Sequence, residues 1–264
     1  MAEMTEAAMD NREAIVAVDV HKSFGENCVL DGIDLTVHEA ETIVIIGRSG
    51  CGKSVFLKHI IGLMKPDAGT IMIDGQDITQ MKGHELNNIR RKFGMVFQGS
   101  ALFDSLTVGQ NVGFFLYEYS DLSPEEIEDV VEEKLRLVGL ENISDMNPAE
   151  LSGGMKKRVS LARALAHEPE IVLYDEPTTG LDPIMADVIN DLIIKLDEQL
   201  DVTSVVVTHD MASAYKIADR IAMMYGGKII TVGSPEDIKE SHNEYVQQFI
   251  NGSAHGPIDV IGGA

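Results

Sequence analysis

Gly47-Arg48-Ser49-Gly50-Cys51-Gly52-Lys53-Ser54 follows the mostly apolar run Thr42-Ile43-Val44-Ile45-Ile46 and opens a segment of helical spacing, Lys53 to Leu63. Strand, glycine-rich loop, helix is the context that the phosphate-binding pattern G-x-x-x-x-G-K-[ST] requires. Glycine lets successive backbone N–H groups curl around phosphate oxygens, and the helix N-terminus adds its partial positive charge. The pattern therefore predicts that residues 47 to 54 cradle a nucleotide, with Lys53 at the β and γ phosphates and the Ser54 hydroxyl on Mg²⁺.

Outward from the loop, short apolar and helix-patterned segments alternate, which points to an α/β core. Ile15–Val20, Ile33–Val37 and Gly69–Ile73 read as strands of an antiparallel lobe, the last followed by an Asp74-Gly75 turn. In the middle third Val108–Tyr117 and a helix opened by Ser123-Pro124-Glu125-Glu126, a capping box with proline at the first helical position, suggest a helical insertion over about residues 100–165. The α/β pattern then resumes: a helix near Gly154–Ala166, a strand Ile171–Tyr174, a helix near Pro183–Leu196 and a strand Ser204–Val207. Arg220–Tyr225 and Lys228–Val232 flank Gly226-Gly227 as a hairpin. Ser234-Pro235-Glu236-Asp237 caps a terminal helix pair, and the glycine-rich tail, residues 251–264, is expected to be extended.

The strand Ile171–Tyr174 runs into Asp175-Glu176. Downstream of a phosphate loop, such a pair reads as a magnesium aspartate and a general base: Asp175 holds the ion through water, and Glu176 polarises the attacking water.

Bulk composition narrows the rest. The formal charge of −22 and the shortness of the basic groups, Arg90–Lys92 and Lys156–Arg158, speak against nucleic acid as a partner. That charge says little about a nucleotide, because salt screens fields beyond about 10 Å. Apolar runs fall short of the roughly 18 residues a spanning helix needs. The acidic start, Met1 to Glu13, is not of the secretory type. A cytoplasmic location is expected. Cys28 and Cys51 are too few for a disulfide framework. Cys51, in the loop at a helix N-terminus, reads either as a stabilised, reactive thiolate or as a small side chain merely tolerated at a variable loop position.

Leu151-Ser152-Gly153-Gly154, some twenty residues before the acidic strand, resembles the C-loop of ABC ATPases. Other family elements fall in order over about residues 14–250: Phe24 as the aromatic that stacks on adenine, Gln98 as the Q-loop, Leu181-Asp182 as the D-loop and His209 as the switch histidine. Singly, Phe24 reads as well as a core aromatic, Gln98 as a surface amide and His209 as a strand-end histidine; their joint order decides. The resemblance implies a P-loop NTPase fold with a RecA-like core, an antiparallel β lobe and an α-helical insertion. It implies ATP and Mg²⁺ as cofactors, with Ser54, Gln98 and Asp175 toward the metal and Glu176, His209 and Gln98 in hydrolysis. It also implies a head-to-tail pair, in which Ser152, Gly153, Gly154 and Asp182 serve the nucleotide held by the opposite copy.

Two positions depart from the usual family pattern. Val55 stands where a second hydroxyl commonly follows Ser54, leaving the backbone for the α-phosphate, and Met155 replaces a glutamine. The Met155 variant, the stretch Phe97–Val108 and the tail around Phe249–Gly252 are similar to cassettes of MCE-associated lipid transporters, the Mla and Mkl types. That likeness implies phospholipid transport, a permease dimer in the membrane docked near Phe103, an MCE-type lipid-binding protein, and peripheral attachment to the inner face of the membrane. An importer of amino acids or another small solute is the alternative. A soluble ABC protein of translation or repair fits less well, since the chain carries neither a second cassette nor a long coiled coil.

Overall fold

The computed structural model describes residues 12–259. The acidic start, residues 1–11, and residues 260–264 of the tail lie outside that range. The chain forms two sheets. Strands β1 (Glu13–Phe24), β2 (Asn27–His38), β4 (Ala68–Ile73) and β5 (Gln76–Asp77) make an antiparallel lobe in the order β2-β1-β4-β5. The main sheet has the order β10-β9-β3-β8-β7-β6, from β3 (Thr42–Ile46), β6 (Phe93–Val96), β7 (Ile171–Asp175), β8 (Thr203–Thr208), β9 (Arg220–Tyr225) and β10 (Lys228–Gly233). All its neighbours pair in parallel except the β9–β10 hairpin.

Because strand side chains alternate between faces, the main sheet divides two cores. Ile43, Ile45, Leu173, Val205 and Val207 face a core shared with Phe56, Leu57 and Ile60 of α1 (Lys53–Ile60) and with Ile15, Ala17, Ile71 and Ile73 of the β lobe. Val44, Ile46, Val172, Tyr174 and Val206 face the other core. There they meet α3 (Val108–Tyr119), α4 (Pro124–Leu137), α5 (Gly153–Leu165) and α6 (Pro183–Leu200). The helical segment thus shares one core with the sheet, and α5 links them there: its Val159, Leu161 and Leu165 join Val112 and Leu116 of α3 and the sheet residues.

Local signals placed most ends. At α4 the Ser123 hydroxyl accepts the Glu126 N–H at 3.3 Å and the Glu126 carboxylate accepts the Ser123 N–H at 2.7 Å. Helix α1 stops earlier than the expected Leu63, because Gly62 takes a left-handed turn (φ 68°) just after Ile61.

The structure adds α2 (Gly83–Arg90), β6 and α7 (Met211–Ile217), all short and weakly patterned. In β6 the breaker is Gly94, yet glycine is what the fold needs there: a Cβ would sit 2.4 Å from the Ala164 carbonyl oxygen of α5. Two further short helices, α8 (Pro235–Lys239) and α9 (Glu244–Ile250), follow the hairpin. The tail differs from the extended form expected for it. Ile258 is buried, its N–H donating to Gln248 Oε1 at 2.6 Å, and Arg48 Nη1 donates to the Asp259 carbonyl at 2.7 Å. A single buried amide, Gln248, supplies what a free tail would take from water.

Asp197 of α6 accepts hydrogen bonds from Thr42 Oγ1 at 2.7 Å and Ser204 Oγ at 2.8 Å. Burial pushes its carboxyl up to about 6, helped by the neighbouring Asp219 charge and opposed by the two hydroxyls. A folded-state value above the unfolded one means stability that is complete below about pH 4 and lost as pH rises through about 6, by at most ~3 kcal/mol. Asp197→Asn, neutral throughout, is expected to gain stability relative to the native chain between pH 5 and 7.5. Denaturant unfolding at the two pH values checks this; a difference that does not change with pH would refute it.

Candidate nucleotide site

The loop between β3 and α1 is shaped by close approach: a Cβ on Gly47 would lie 2.5 Å from the Met224 carbonyl oxygen of β9. Beyond Gly47 the chain turns so that Gly52 caps α1 in the left-handed region and the first helical residue is Lys53. Lys53 is buried, its Nζ donating to the carbonyls of Gly47 at 2.8 Å and Arg48 at 3.1 Å, and lying 3.8 Å from Glu176 Oε1. One residue on, Ser54 Oγ donates to Asp175 Oδ1 at 2.7 Å. The loop thereby meets the end of β7, 121 residues away in sequence.

Glu176 is 7% exposed and densely held. Its Oε2 lies 2.9 Å from His209 Nδ1 and accepts Thr179 Oγ1 at 3.0 Å and Thr208 Oγ1 at 3.4 Å. Its N–H donates to the Val207 carbonyl at 2.9 Å, and its backbone sits at φ 51°. A non-glycine residue in that region is strained and persists because its surroundings over-determine it, a pattern concentrated at functional sites.

A cleft of about 340 Å³ lies over the loop, lined by Phe24, Val29, Ser49, Gly50, Gly52, Lys53, Ser54, Val55, Gln98 and Glu176. Phe24 is half exposed at its mouth, with Lys22 Nζ 5.7 Å from the ring centroid. A flat aromatic, a helix N-terminus with a buried lysine, and a hydroxyl–carboxylate pair suit a nucleobase, its phosphates and a hard cation in that order. Among the described residues no group of three or more His, Cys, Asp or Glu side chains could hold a metal alone. A divalent ion here would have to share phosphate oxygens with Ser54 and Asp175.

Ser152, Gly153, Gly154 and Asp182 do not line this cleft. Ser152 caps α5, its Oγ accepting the Met155 N–H at 3.3 Å, and Asp182 caps α6, accepting the N–H groups of Ile184 and Met185. Both Ser152 and Gly153 are exposed. His209 touches Glu176 from a neighbouring hollow lined by Thr178 to Leu181 and Asp210.

Sequence reasoning did not single out Thr179, Lys157 or Asn111. Buried Asn111 of α3 spans the loop before its own helix, accepting the Phe103 N–H and donating to the carbonyls of Phe103, Leu106 and Thr107. Nothing in an asparagine within an apolar helix announces such a role.

Burial works against the stabilised thiolate at Cys51 and favours the alternative of a small side chain tolerated in the loop. Burial pushes its thiol up, and the favourable charge of Lys53 and backbone hydrogen bonding do not offset that. At pH 7 a thiol-alkylating reagent is expected to modify exposed Cys28 well before Cys51, read by peptide mass spectrometry. Faster labelling of Cys51 would show that the helix terminus dominates after all.

The comparisons with known proteins agree with this geometry. The family model described as "ABC transporter" matches residues 30–179. The probable ribonucleotide transport ATP-binding protein mkl of Mycobacterium tuberculosis is 42% identical over 246 residues, 92% of this chain and 68% of that one. The intermembrane phospholipid transport system ATP-binding protein MlaF of Escherichia coli is 39% identical over 240 residues, 91% of this chain and 89% of that one. Among solved structures, the ATP-binding cassette MJ0796, dimeric in a post-hydrolysis state with ADP and Pi, matches with a TM-score of 0.77 and 36% identity, covering 84% of this chain and 98% of that one.

Proposed function

Because the chain belongs to the ABC transporter family of ATP-binding proteins, we propose that it is the ATPase subunit of a phospholipid transporter and works as a head-to-tail pair. ATP binding and hydrolysis follow from the family. Support for the lipid substrate is the 39% identity to a protein named for intermembrane phospholipid transport, running over nearly the whole of it. The Met155 signature variant and the Phe97–Val108 stretch point the same way.

In this reading Phe24 stacks on the adenine, the backbone of residues 47 to 52 wraps the phosphates with Val55 adding only its amide, and Lys53 neutralises the terminal phosphates. Ser54, Asp175 and Gln98 hold Mg²⁺, which when bound neutralises charge on the phosphates. Glu176 accepts a proton from the attacking water. His209 and Thr179 aim its carboxylate. Ser152, Gly153, Gly154 and Asp182 complete the site of a second copy, which fits their position away from the chain's own cleft.

The membrane partner is a permease, and the surface offered to it lies around Phe103. The rings of Phe103 and Phe114 meet at 4.8 Å between centroids and both are exposed, with exposed Tyr117 one turn further along α3. Among the described residues no helix is long and apolar enough to cross a membrane. In this reading the permease attaches the chain to the membrane and an MCE-type protein carries the lipid. A small-solute importer is the second reading, favoured by the ribonucleotide name of the mycobacterial relative.

Glu176→Gln is expected to bind ATP normally and to lose hydrolysis by about 10²-fold or more. Near-normal turnover in the purified complex would remove Glu176 from the role of base.

Substrate class is tested by deleting the gene. Altered phospholipid distribution and detergent sensitivity, restored by the native chain but by neither Glu176→Gln nor Phe103→Asp, is the expected result. The second variant buries a carboxylate at an apolar docking contact. A normal envelope with lost uptake of one solute would instead select the importer.

A further inference from the structure

Helix α5 opens with the Ser152-Gly153-Gly154 turn and, one turn along, buries a lysine. Lys157 is 6% exposed. Its ammonium donates to the carbonyl oxygen of Gln98 and, at 3.2 Å, to that of Glu176. No carboxylate among the described residues forms an ion pair with it. Burial lowers its proton affinity, and the nearby charges of Asp175 and Glu176 only partly restore it.

A desolvated ammonium is costly to keep. A methionine would fill a gap of this length and shape without that cost, so the charge and the donors, rather than the volume, set this position apart. The two carbonyls it holds are unusual. Glu176 has a left-handed backbone, and among the described residues its carbonyl otherwise accepts only the Thr179 N–H, at 3.3 Å. Gln98 lies where β6 has ended and the chain turns through Ser100 and Ala101, both left-handed at φ 63° and 46°. The same helix grips that turn again: Arg163 Nη2 donates to the Ser100 carbonyl at 2.8 Å and Nη1 to the Ala101 carbonyl at 2.6 Å.

We propose that Lys157 is a positioning residue that sets Gln98 and Glu176 from the helix whose N-terminus serves the opposite nucleotide, and so couples the two half-sites carried by one chain. The proposal rests on the reading that Gln98 and Glu176 act on this chain's own ATP while Ser152 and Gly154 face the partner copy's. A rigid helix held at its start by one nucleotide cannot shift without dragging both carbonyls. Closure of one half-site is then felt at the other, which is the differential contact that coupling needs.

The test compares the full chain with Lys157→Met, which keeps the length and removes charge and donors, and with Lys157→Gln, which keeps N–H donors without charge. Thermal melting, ATP affinity and steady-state hydrolysis against ATP concentration are measured for each. The Met variant is expected to bind ATP within about twofold of the native chain, to lose about tenfold or more in kcat at little changed KM, and to lose cooperativity in ATP. The Gln variant is expected to fall between the two. Native kcat and cooperativity in a folded Met variant would overturn the proposal, as would parallel loss of affinity and rate in both variants, the mark of a merely structural role. If the Met variant does not fold, Gln decides alone: a fall in kcat at unchanged affinity supports the coupling, and native kcat sinks it. Glu176→Gln runs beside them. Should it hydrolyse ATP normally, the underlying assignment of the site fails, whatever Lys157 does.

Discussion

Parallel pairing of β3, β8 and β7 is the constraint on which the site depends. Ile46 stands beside Thr208, and Asp175 beside Val207, so the three strands end together. Whatever follows each strand is delivered to one edge: the glycine-rich loop after β3, His209 after β8, Glu176 after β7. Parallel strands cannot be joined by tight turns, which is why groups in hydrogen-bond contact lie so far apart in sequence. Ligands of open α/β sheets collect at the carboxyl ends of the strands for the same reason. Register matters as much as order, since a slip of one residue would turn every side chain to the wrong face. The two cores prevent it: each takes alternate residues of the same strands, so both would be spoiled at once.

The site gathers charge in a place that disfavours it. Lys53, Lys157, Asp175 and Glu176 are all buried in a chain whose surface carries a large negative excess. Low dielectric strengthens each pairing and penalises each unpaired member, so the cluster holds its geometry only while every partner is present. The hydroxyls of Ser54, Thr179 and Thr208 matter here because they satisfy carboxylate lone pairs without adding charge. The outcome is a set of groups oriented before any nucleotide arrives, the arrangement that stabilises developing charge without reorganisation.

The sequence was most legible where a residue type answers to one physical need. The loop glycines, the Ser123 capping box, the apolar runs of β3 and β7 and the acidic pair after β7 could all be read directly, because each requirement is local. Short elements escaped, for β6 and α7 owe their form to what packs on them: a reader meeting Gly94 sees a breaker, not the space under Ala164. Lys157 and Asn111 escaped for a related reason. Both are polar residues made necessary by backbone groups far along the chain, and nothing in their neighbours says that they are buried. The tail misled because glycine content suggests extension, whereas Gln248 offered it a place to dock. At Cys51 helix polarity competes with desolvation, and the sequence displays only the first.

In the proposed pair one chain carries two half-sites that cannot serve each other. The cleft above the loop contains Glu176 and Gln98 but none of the C-loop residues, and the capped N-termini of α5 and α6 present Ser152, Gly153 and Asp182 away from it. The α5 start, where Ser152 and Gly153 are exposed, carries the helix's positive end and suits an anion supplied from outside, and in the proposed pair that anion is the terminal phosphate bound to the other copy. The energetics of such a pair are set by concentration as much as by contact. Two cassettes meeting in dilute solution must meet the full cost of association, whereas two held on one membrane partner face each other at an effective concentration in the millimolar range. If, as proposed, the exposed aromatic patch at Phe103 and Phe114 seats the chain on a permease, it bears on catalysis without approaching the nucleotide. In the proposed assembly each copy sits on the permease, the opposite α5 terminus comes within reach, and the machine being driven raises the rate of hydrolysis.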